Sequence, residues 1–334
     1  MSARRRVIGI TGGTGYIGSS LAKRLAGSFD LRLLDVKAPK EDVGKGAEFQ
    51  ACDIRNPNEL KNTLKDVDLV IHTAIIQIPA INEQKKLGYE VNFLGTQNIC
   101  RVVDEEPRVK GMILAGSWHT IGERGLKGVI DEEFGFRPDK VEDRARLYAL
   151  AKMAQESTVR FHDEMSDKVF GIIRMGTVLG LDMPEKTAAN IFIENGLKRK
   201  PLTPYRHSMF RPMLYVDIGD ACRAYEIFAR KILDGEVEKK GNSLAHVVNV
   251  YSPEPVTILD LAEIVRDSII KCSEGEIEPK IEITDIGQPI MFSEKDKNMV
   301  QVDVTKALKF LGLGRLKTTR ESIEEIVKAK MSNV

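Results

Sequence analysis

The chain has 334 residues, enough for a sizeable core, and length alone allows one large domain or two. Its 50 Lys and Arg are interleaved with 49 Asp and Glu, a balance that argues against a nucleic-acid partner and against a membrane-surface partner. Cys52, Cys100, Cys222 and Cys272 are scattered, with neither metal-ligand nor small-scaffold spacing, so reduced thiols, no metal and a cytoplasmic location are expected.

Arg4, Arg5 and Arg6 read as a solvated N-terminal tail, because the apolar run behind them is too short and too glycine-rich for a signal segment or a membrane span. That run opens VIGITGGTGYIGS, residues 7–19. It predicts a strand, a glycine turn and the start of a helix. Gly12, Gly15 and Gly18 satisfy one dinucleotide spacing and Gly13, Gly15 and Gly18 the other, letting the backbone turn sharply and approach a pyrophosphate. Free N–H groups of the first helical turn would then face the anion. The next apolar run, Leu31 to Leu34, ends at Asp35, where a carboxylate can accept from an adenosine ribose and repel a 2′-phosphate. NAD is therefore favoured over NADP, with Lys37 close by.

A polar stretch runs to Gly46, and Glu48 to Cys52 reads as a strand closing on Asp53, Ile54 and Arg55. Asp53 either accepts from the adenine amino group or caps a helix that begins near residues 56–59. Asp68 to Ala74 is a buried-strand run ending in the small residues Thr73 and Ala74. Gly88 to Val103 predicts one long helix, and Asn92 inside it needs partners that a neighbouring strand end would supply. Val109 to Ala115 is a strand that opens into Gly116, Ser117, Trp118, His119 and Thr120; Arg144 to Met165 is a helix carrying Tyr148 and Lys152; Val169 to Arg174 is a strand. This alternation predicts an α/β fold, a Rossmann-type doubly wound parallel sheet with crossover helices.

Beyond Gly176 the pattern loosens around Pro184, Pro201 and Pro204. A strand is expected at 213–216, a helix at 218–233, a strand at 247–251, an amphipathic helix at 257–268 and a short strand at 281–283. Thr318 and Glu321 have capping-box spacing for a closing helix. The basic run 198–200 and the charged turn 239–242 read as solvated faces. The expected organisation is a cofactor-binding domain over 1–178 with further core elements from about 211–250. Residues 179–210 and 251–334 would supply mainly a smaller C-terminal substrate-binding lobe and the closing helix.

Tyr148 and Lys152 stand four apart on one helix, so they share a face with about 6 Å of rise between them. A free phenol has a pKa of about 10, and a tyrosine base near neutrality needs it lowered by roughly three units, about 4 kcal/mol. Burial pushes the other way. Lys152 and an oxidised nicotinamide would supply the positive charge, and Ser117 would hold the substrate oxygen.

Taken together, TGGTGYIG (11–18), Asp35, CDI (52–54), HTA (72–74), VNFLGTQN (91–98), LAGS (114–117), YALAK (148–152) and RPMLYVD (211–217) carry a resemblance. The chain is similar, from Val7 to its last helix, to the extended short-chain dehydrogenase/reductases, the NAD-dependent epimerase/dehydratase family. The resemblance implies Tyr148 as catalytic acid/base, Lys152 as its electrostatic partner and ribose anchor, and Ser117 as substrate positioner. It implies an NAD site built from Gly12, Thr14, Gly15, Tyr16, Ile17, Gly18, Asp35, Asp53, Ile54, Thr73, Ala74 and Asn92. Asn92 is a structural or relay residue by that resemblance, and the helices holding Asn92 and Tyr148 are implied to form a homodimer interface. For the substrate it points to Ser117, Trp118, His119, Thr177 and Arg211.

Departures from the family pattern narrow the chemistry. Trp118 and His119 stand where dehydratases of the family carry an acidic pair. Thr177 replaces an epimerase Asn, and Arg211 has no second arginine near Ser293 to complete a diphosphate clamp. SWHTIG (117–122) and RMGT (174–177) resemble uronate dehydrogenases instead. His119 either touches substrate or bonds local backbone, and Trp118 either walls the pocket or belongs to the core. The leading reading is oxidation of a secondary hydroxyl on a sugar or nucleotide-sugar, ending as dehydrogenase or epimerase. The alternative is a non-catalytic NAD-binding sensor or scaffold on the same fold.

Overall fold

The apolar runs of the first half pair side by side, in a computed structural model that describes residues 4–40, 46–239 and 241–332. They are β1 (Val7–Thr11), β2 (Asp30–Asp35), β3 (Ala47–Ala51), β4 (Leu69–His72), β5 (Gly111–Ser117) and β6 (Val169–Met175), with β7 (Val247–Val250) added from the later sequence. All pair in parallel, in the order β7-β6-β5-β4-β1-β2-β3. The chain builds outward from β1 to β3, then crosses to β4 and builds the other way. The C-terminal ends of β1 and β4 are thus a topological switch point, where such sheets bind ligands.

Strand alternation sorts side chains into two apolar layers. Ile8, Ile10, Leu69, Ile71, Ile113 and Ile173 face α1 (Tyr16–Leu25) and a helix from the later sequence, while Val70, Met112, Leu114, Phe170 and Ile172 face α2 (Pro57–Leu64), α3 (Thr96–Glu105) and α4 (Arg146–Met165). Between α4 and that later helix comes α5 (Ala188–Leu197); the later helix itself is α6 (Ile218–Asp234). The first layer runs on without a break into α7 (Ile258–Cys272) and α8 (Thr319–Ser332), which pack together and against α5. Glu321 accepts from the Thr318 N–H at 2.8 Å while Thr318 accepts from the Glu321 N–H at 3.2 Å, the reciprocal cap that its spacing predicts.

The structure corrects several local expectations. The helix over 88–103 is interrupted by a π-helical turn, Glu90–Gly95, which hydrophobic periodicity cannot register. The strand at 213–216 splits. Pro212–Met213 pairs antiparallel with Val256–Thr257, and Tyr215–Asp217 pairs in parallel with Thr177–Leu179. The strand at 281–283 reduces to bridges between Leu202 and Ile281 and between Tyr205 and Thr284. Pro201 and Pro204, on the partner segment, have no N–H to extend a ladder. A pairing of Gly128–Ile130 with Val300–Val302 had no signal in the sequence.

The charged segments are also less free than expected. Arg4 and Arg5 donate to the Asp66 and Ala26 carbonyls, and Arg6 pairs with Asp234 at 2.6 Å. Lys198 pairs with Glu194 at 2.9 Å and Arg199 donates to the Glu276 carbonyl. Of the 239–242 turn, Lys239 binds Asp163 at 2.8 Å, whereas residue 240 lies outside the described residues, as do 41–45 of the polar stretch after Asp35.

Candidate active site

The glycine turn after β1 has the geometry that only glycine permits. Gly12 sits at φ +69°, and a Cβ there would lie 2.6 Å from the Ala74 nitrogen; a Cβ at Gly18 would collide with the Gly12 carbonyl oxygen. The β1 turn and the end of β4 are thereby pressed together. α1 begins at Tyr16 with no side chain capping it, so its first-turn N–H groups are left for a ligand. Asp35, at the end of β2, accepts from the Thr14 N–H at 3.3 Å, which ties the acidic residue to the turn.

A cavity of about 400 Å³ opens over this switch point. Gly12, Gly15, Tyr16, Ile17, Gly18, Asp35, Asp53, Ile54, Thr73, Ala74, Ser117, His119, Tyr148, Lys152 and Thr177 all line it, so the glycine cradle and the Tyr–Lys helix share one wall. A Cβ-free cradle at a bare helix end and an acidic residue past the second strand fit a dinucleotide. Asp53 does not cap α2, because Asn56 does, accepting from the Asn58 and Glu59 N–H groups. Arg55 grips Asp53 at 2.6 Å and holds its carboxyl below the usual range.

At the reactive end, Lys152 Nζ donates to the Ala115 carbonyl at 2.7 Å and lies 6.0 Å from the Tyr148 ring centroid. Burial pushes the Lys152 ammonium down to about 7. Burial also pushes the Tyr148 phenol up, outweighing a hydrogen bond with Ser117 that pulls it down. His119 packs its ring edge-on to Tyr148, with centroids 5.5 Å apart, and its Nδ1 is 3.2 Å from Ser117 Oγ. Burial first, then the nearby Arg211 charge, hold the His119 imidazole well below its ordinary value and so neutral. It bonds a side chain and faces the cavity, rather than only its local backbone.

Four candidates lie off the cavity wall. Thr14 donates its backbone N–H to Asp35. Asn92 is fully buried and spends its amide on Ile76, accepting from that N–H at 2.8 Å and donating to that carbonyl at 3.0 Å, which fixes the loop after β4. Trp118 is core, its indole N–H donating to Thr177 Oγ1 at 3.3 Å. Arg211 is buried in an ion pair with Glu142 at 2.6 Å.

Sequence reasoning missed a buried chain of polar groups behind the wall. Thr96 Oγ1 donates its single proton to the Asn92 carbonyl at 2.9 Å, so it accepts from Gln155 Nε2 at 2.9 Å and from His72 Nε2 at 3.0 Å. His72 Nδ1 is therefore bare and accepts from Thr11 Oγ1 at 2.7 Å. The chain joins β1, β4, the π-turn and α4. The signal available was a histidine inside the apolar run 68–74. Ile75, Ile76, Ile78, Pro184 and Thr187, also in the cavity wall, had none.

Comparison with known proteins agrees with this architecture. The sequence model of the NAD dependent epimerase/dehydratase family matches residues 8–242. Over 270 residues the chain is 29% identical to a putative UDP-glucose 4-epimerase of Methanocaldococcus jannaschii, covering 78% of this chain and 81% of that one. It is 27% identical over 203 residues to D-erythronate dehydrogenase of Haemophilus influenzae, covering 58% and 61%. Among solved structures, MoeE5 in complex with UDP-glucuronic acid and NAD is similar with a TM-score of 0.77 at 20% identity, over 98% of this chain and 100% of that one. The UDP-glucose 4-epimerase of Thermus thermophilus in complex with NAD gives 0.75 at 21% identity, over 98% and 100%. At these identities the solved structures establish a shared fold.

Proposed function

Because the chain belongs to the NAD-dependent epimerase/dehydratase family, we propose that it oxidises a secondary hydroxyl of a sugar-type substrate, with Tyr148 receiving the hydroxyl proton. The observation that carries this reading is the shared wall: Ser117 from β5 and Tyr148 and Lys152 from α4 face the same cavity as the glycine cradle. NAD is the family's cofactor; bound and oxidised, it supplies a hydride acceptor and a positive charge. Gly12, Gly15, Gly18 and the first turn of α1 would hold its pyrophosphate, and Asp35 its adenosine ribose.

The protein groups are not a standing base. With the phenol raised and the ammonium lowered to about 7, no pH gives the unliganded site both a phenolate and a charged lysine. A further positive charge must favour the phenolate before Tyr148 can take a proton. Ser117, hydrogen-bonded to that phenol, would orient the reacting oxygen between them. The same first step serves a dehydrogenase, which releases ketone and NADH, and an epimerase, which returns the hydride to the other face.

The homodimer is part of this proposal. Tyr89 and Leu94 near the π-turn and Leu150, Phe161 and Met165 on α4 are exposed apolar side chains, a face that a second copy of these helices would cover. Among the described residues, no helix is long and apolar enough to cross a membrane.

The test is a panel of free sugars, sugar acids and nucleotide-sugars incubated with protein and NAD, followed by nicotinamide absorbance and product analysis. Tyr148→Phe should cut turnover by about 10²-fold or more while NAD still binds. A Tyr148→Phe protein that turns over like the parent refutes the assignment. NAD binding with no turnover of any panel member by the parent would favour the sensor reading.

A further inference from the structure

We infer that His119 and Glu123 form the inner end of a proton relay to Tyr148: through Ser117 and the two ring nitrogens of His119, the phenol passes its proton to the Glu123 carboxylate and becomes the base without losing a proton to solvent. This rests on the oxidation proposed above and deepens it by naming where the Tyr148 proton goes before substrate arrives. Ser117 shares a hydrogen bond with the Tyr148 phenol, and its Oγ is 3.2 Å from His119 Nδ1. The other ring nitrogen, Nε2, faces Glu123 Oε1 at 3.9 Å. That gap is about 1 Å longer than a hydrogen bond, and bonds of this kind tighten when a site is loaded.

Local structure builds this line. Ser117 caps the 3-10 turn Trp118–Ile121 by accepting from the His119 N–H at 3.2 Å, which seats the ring beside its hydroxyl. Gly122 follows at φ +66°, where a Cβ would lie 2.8 Å from the Arg137 carbonyl oxygen, and the chain turns so that Glu123 meets the ring four residues on. Ser117, His119 and Tyr148 line the cavity, whereas Glu123 is 1% exposed and stands behind the wall. Its Oε2 accepts the Glu142 N–H at 3.1 Å, leaving Oε1 for the imidazole. Burial raises the Glu123 carboxyl above its ordinary value, against Arg211 and with Glu142, so this carboxylate takes a proton readily.

The His119 imidazole is held neutral by burial first, then by Arg211, Arg144 and Lys152, with Glu142 opposing, so it stores no proton. It can still pass one by exchanging tautomers. In the unliganded site the ring proton sits on Nε2, because a bare nitrogen there would face the carboxylate lone pair to lone pair. Nδ1 is then bare and accepts the Ser117 hydroxyl, while Ser117 accepts from the Tyr148 phenol and the His119 N–H. In the loaded site each proton has moved one step: Tyr148 Oη to Ser117 Oγ, Ser117 Oγ to His119 Nδ1, and His119 Nε2 to Glu123 Oε1. Ser117 now accepts from Nδ1–H and the same backbone N–H, and its own proton faces the phenolate or a substrate oxygen beside it. The hydroxyl uses one O–H and two lone pairs in both states, and only O–H and N–H bonds change. The negative charge has passed from Glu123 to Tyr148, beside Lys152 and the oxidised nicotinamide that the phenolate requires. After oxidation Tyr148 holds the hydroxyl proton, which returns to the ketone if the hydride returns and otherwise leaves to solvent. The relay serves either outcome.

Ring-nitrogen NMR on protein isotopically labelled at its 5 histidines tests this, with His119 assigned by the signals missing from His119→Gln. The parent should show His119 as Nε2–H when unliganded and as Nδ1–H when NAD is bound, and NAD binding in weak buffer should neither take up nor release a proton. In Glu123→Gln the tautomer should stay fixed on loading. Its kcat should fall about tenfold or more at neutral pH and recover as pH rises, with KM little changed, because the phenolate then forms only by giving its proton to solvent. The parent profile should stay flat down to the pH at which Glu123 itself is protonated from solvent. A parent ring that keeps one tautomer, a proton released on NAD binding, or a Glu123→Gln profile parallel to the parent's overturns the relay; a merely structural Glu123 gives that parallel loss. The parent proton measurement needs neither a folded variant nor a substrate. Tautomer exchange with no alcohol oxidised would therefore sink the oxidation reading and leave the relay standing.

Discussion

Replacing His72 by Phe should destabilise the fold at neutral pH, and the size of that effect should shrink on acidification. The imidazole is fully buried and bonded on both nitrogens, from Thr11 and to Thr96. Removing it leaves the buried Thr11 hydroxyl without its acceptor, at about 1–3 kcal/mol, while Thr96 keeps its bonds to Asn92 and Gln155. Burial, helped by the Lys152 charge, pushes the His72 imidazole down from 6.5 to about 3. The unfolded chain therefore binds a proton below 6.5 that the folded chain refuses until about 3. Stability from the neutral histidine is complete above 6.5 and is lost as pH falls through that window, at about 1.4 kcal/mol per pH unit. The phenylalanine variant has no such loss, so the gap between parent and variant should close by about 2 kcal/mol on reaching about pH 5. Urea unfolding of both proteins across a pH series measures the gap directly, because the other titrating groups are common to the pair. A gap that stays constant or widens with acid would mean that His72 is not held as a neutral Nε2–H imidazole.

Other perturbations test separate parts of the molecule. Gly12→Ala forces a Cβ to within 2.6 Å of the Ala74 nitrogen at a positive φ and should weaken NAD binding at least tenfold, whereas Gly27→Ala, with nothing within 4 Å, should leave it unchanged; a NAD titration checks both. Glu156→Gln leaves Arg174, only 2% exposed, without its carboxylate partner and should cost about 3–5 kcal/mol in chemical denaturation. Phe161→Glu places a charge in the exposed apolar stripe of α4 and should yield a monomer in sedimentation, with little change in unfolding free energy.

What the sequence alone determined is what local rules determine. The glycine spacing, the apolar runs at strand length and the Tyr148–Lys152 interval each act within one or two turns of chain, so they are legible in the residues themselves and lead to the cradle, the sheet and one wall of the cavity. Asp35 is legible for the same reason, as the residue that ends the second strand. The tertiary structure decided everything that depends on who meets whom across the fold. Asn92 meets Ile76, His72 meets Thr96, and Arg211 meets Glu142, pairs brought together only when α3, α4 and the segment between α5 and α6 pack on the sheet. An arginine in a sequence is a charge free to bind an anion. Whether it has a carboxylate beside it depends on a residue far away in the chain, and no periodicity encodes that meeting.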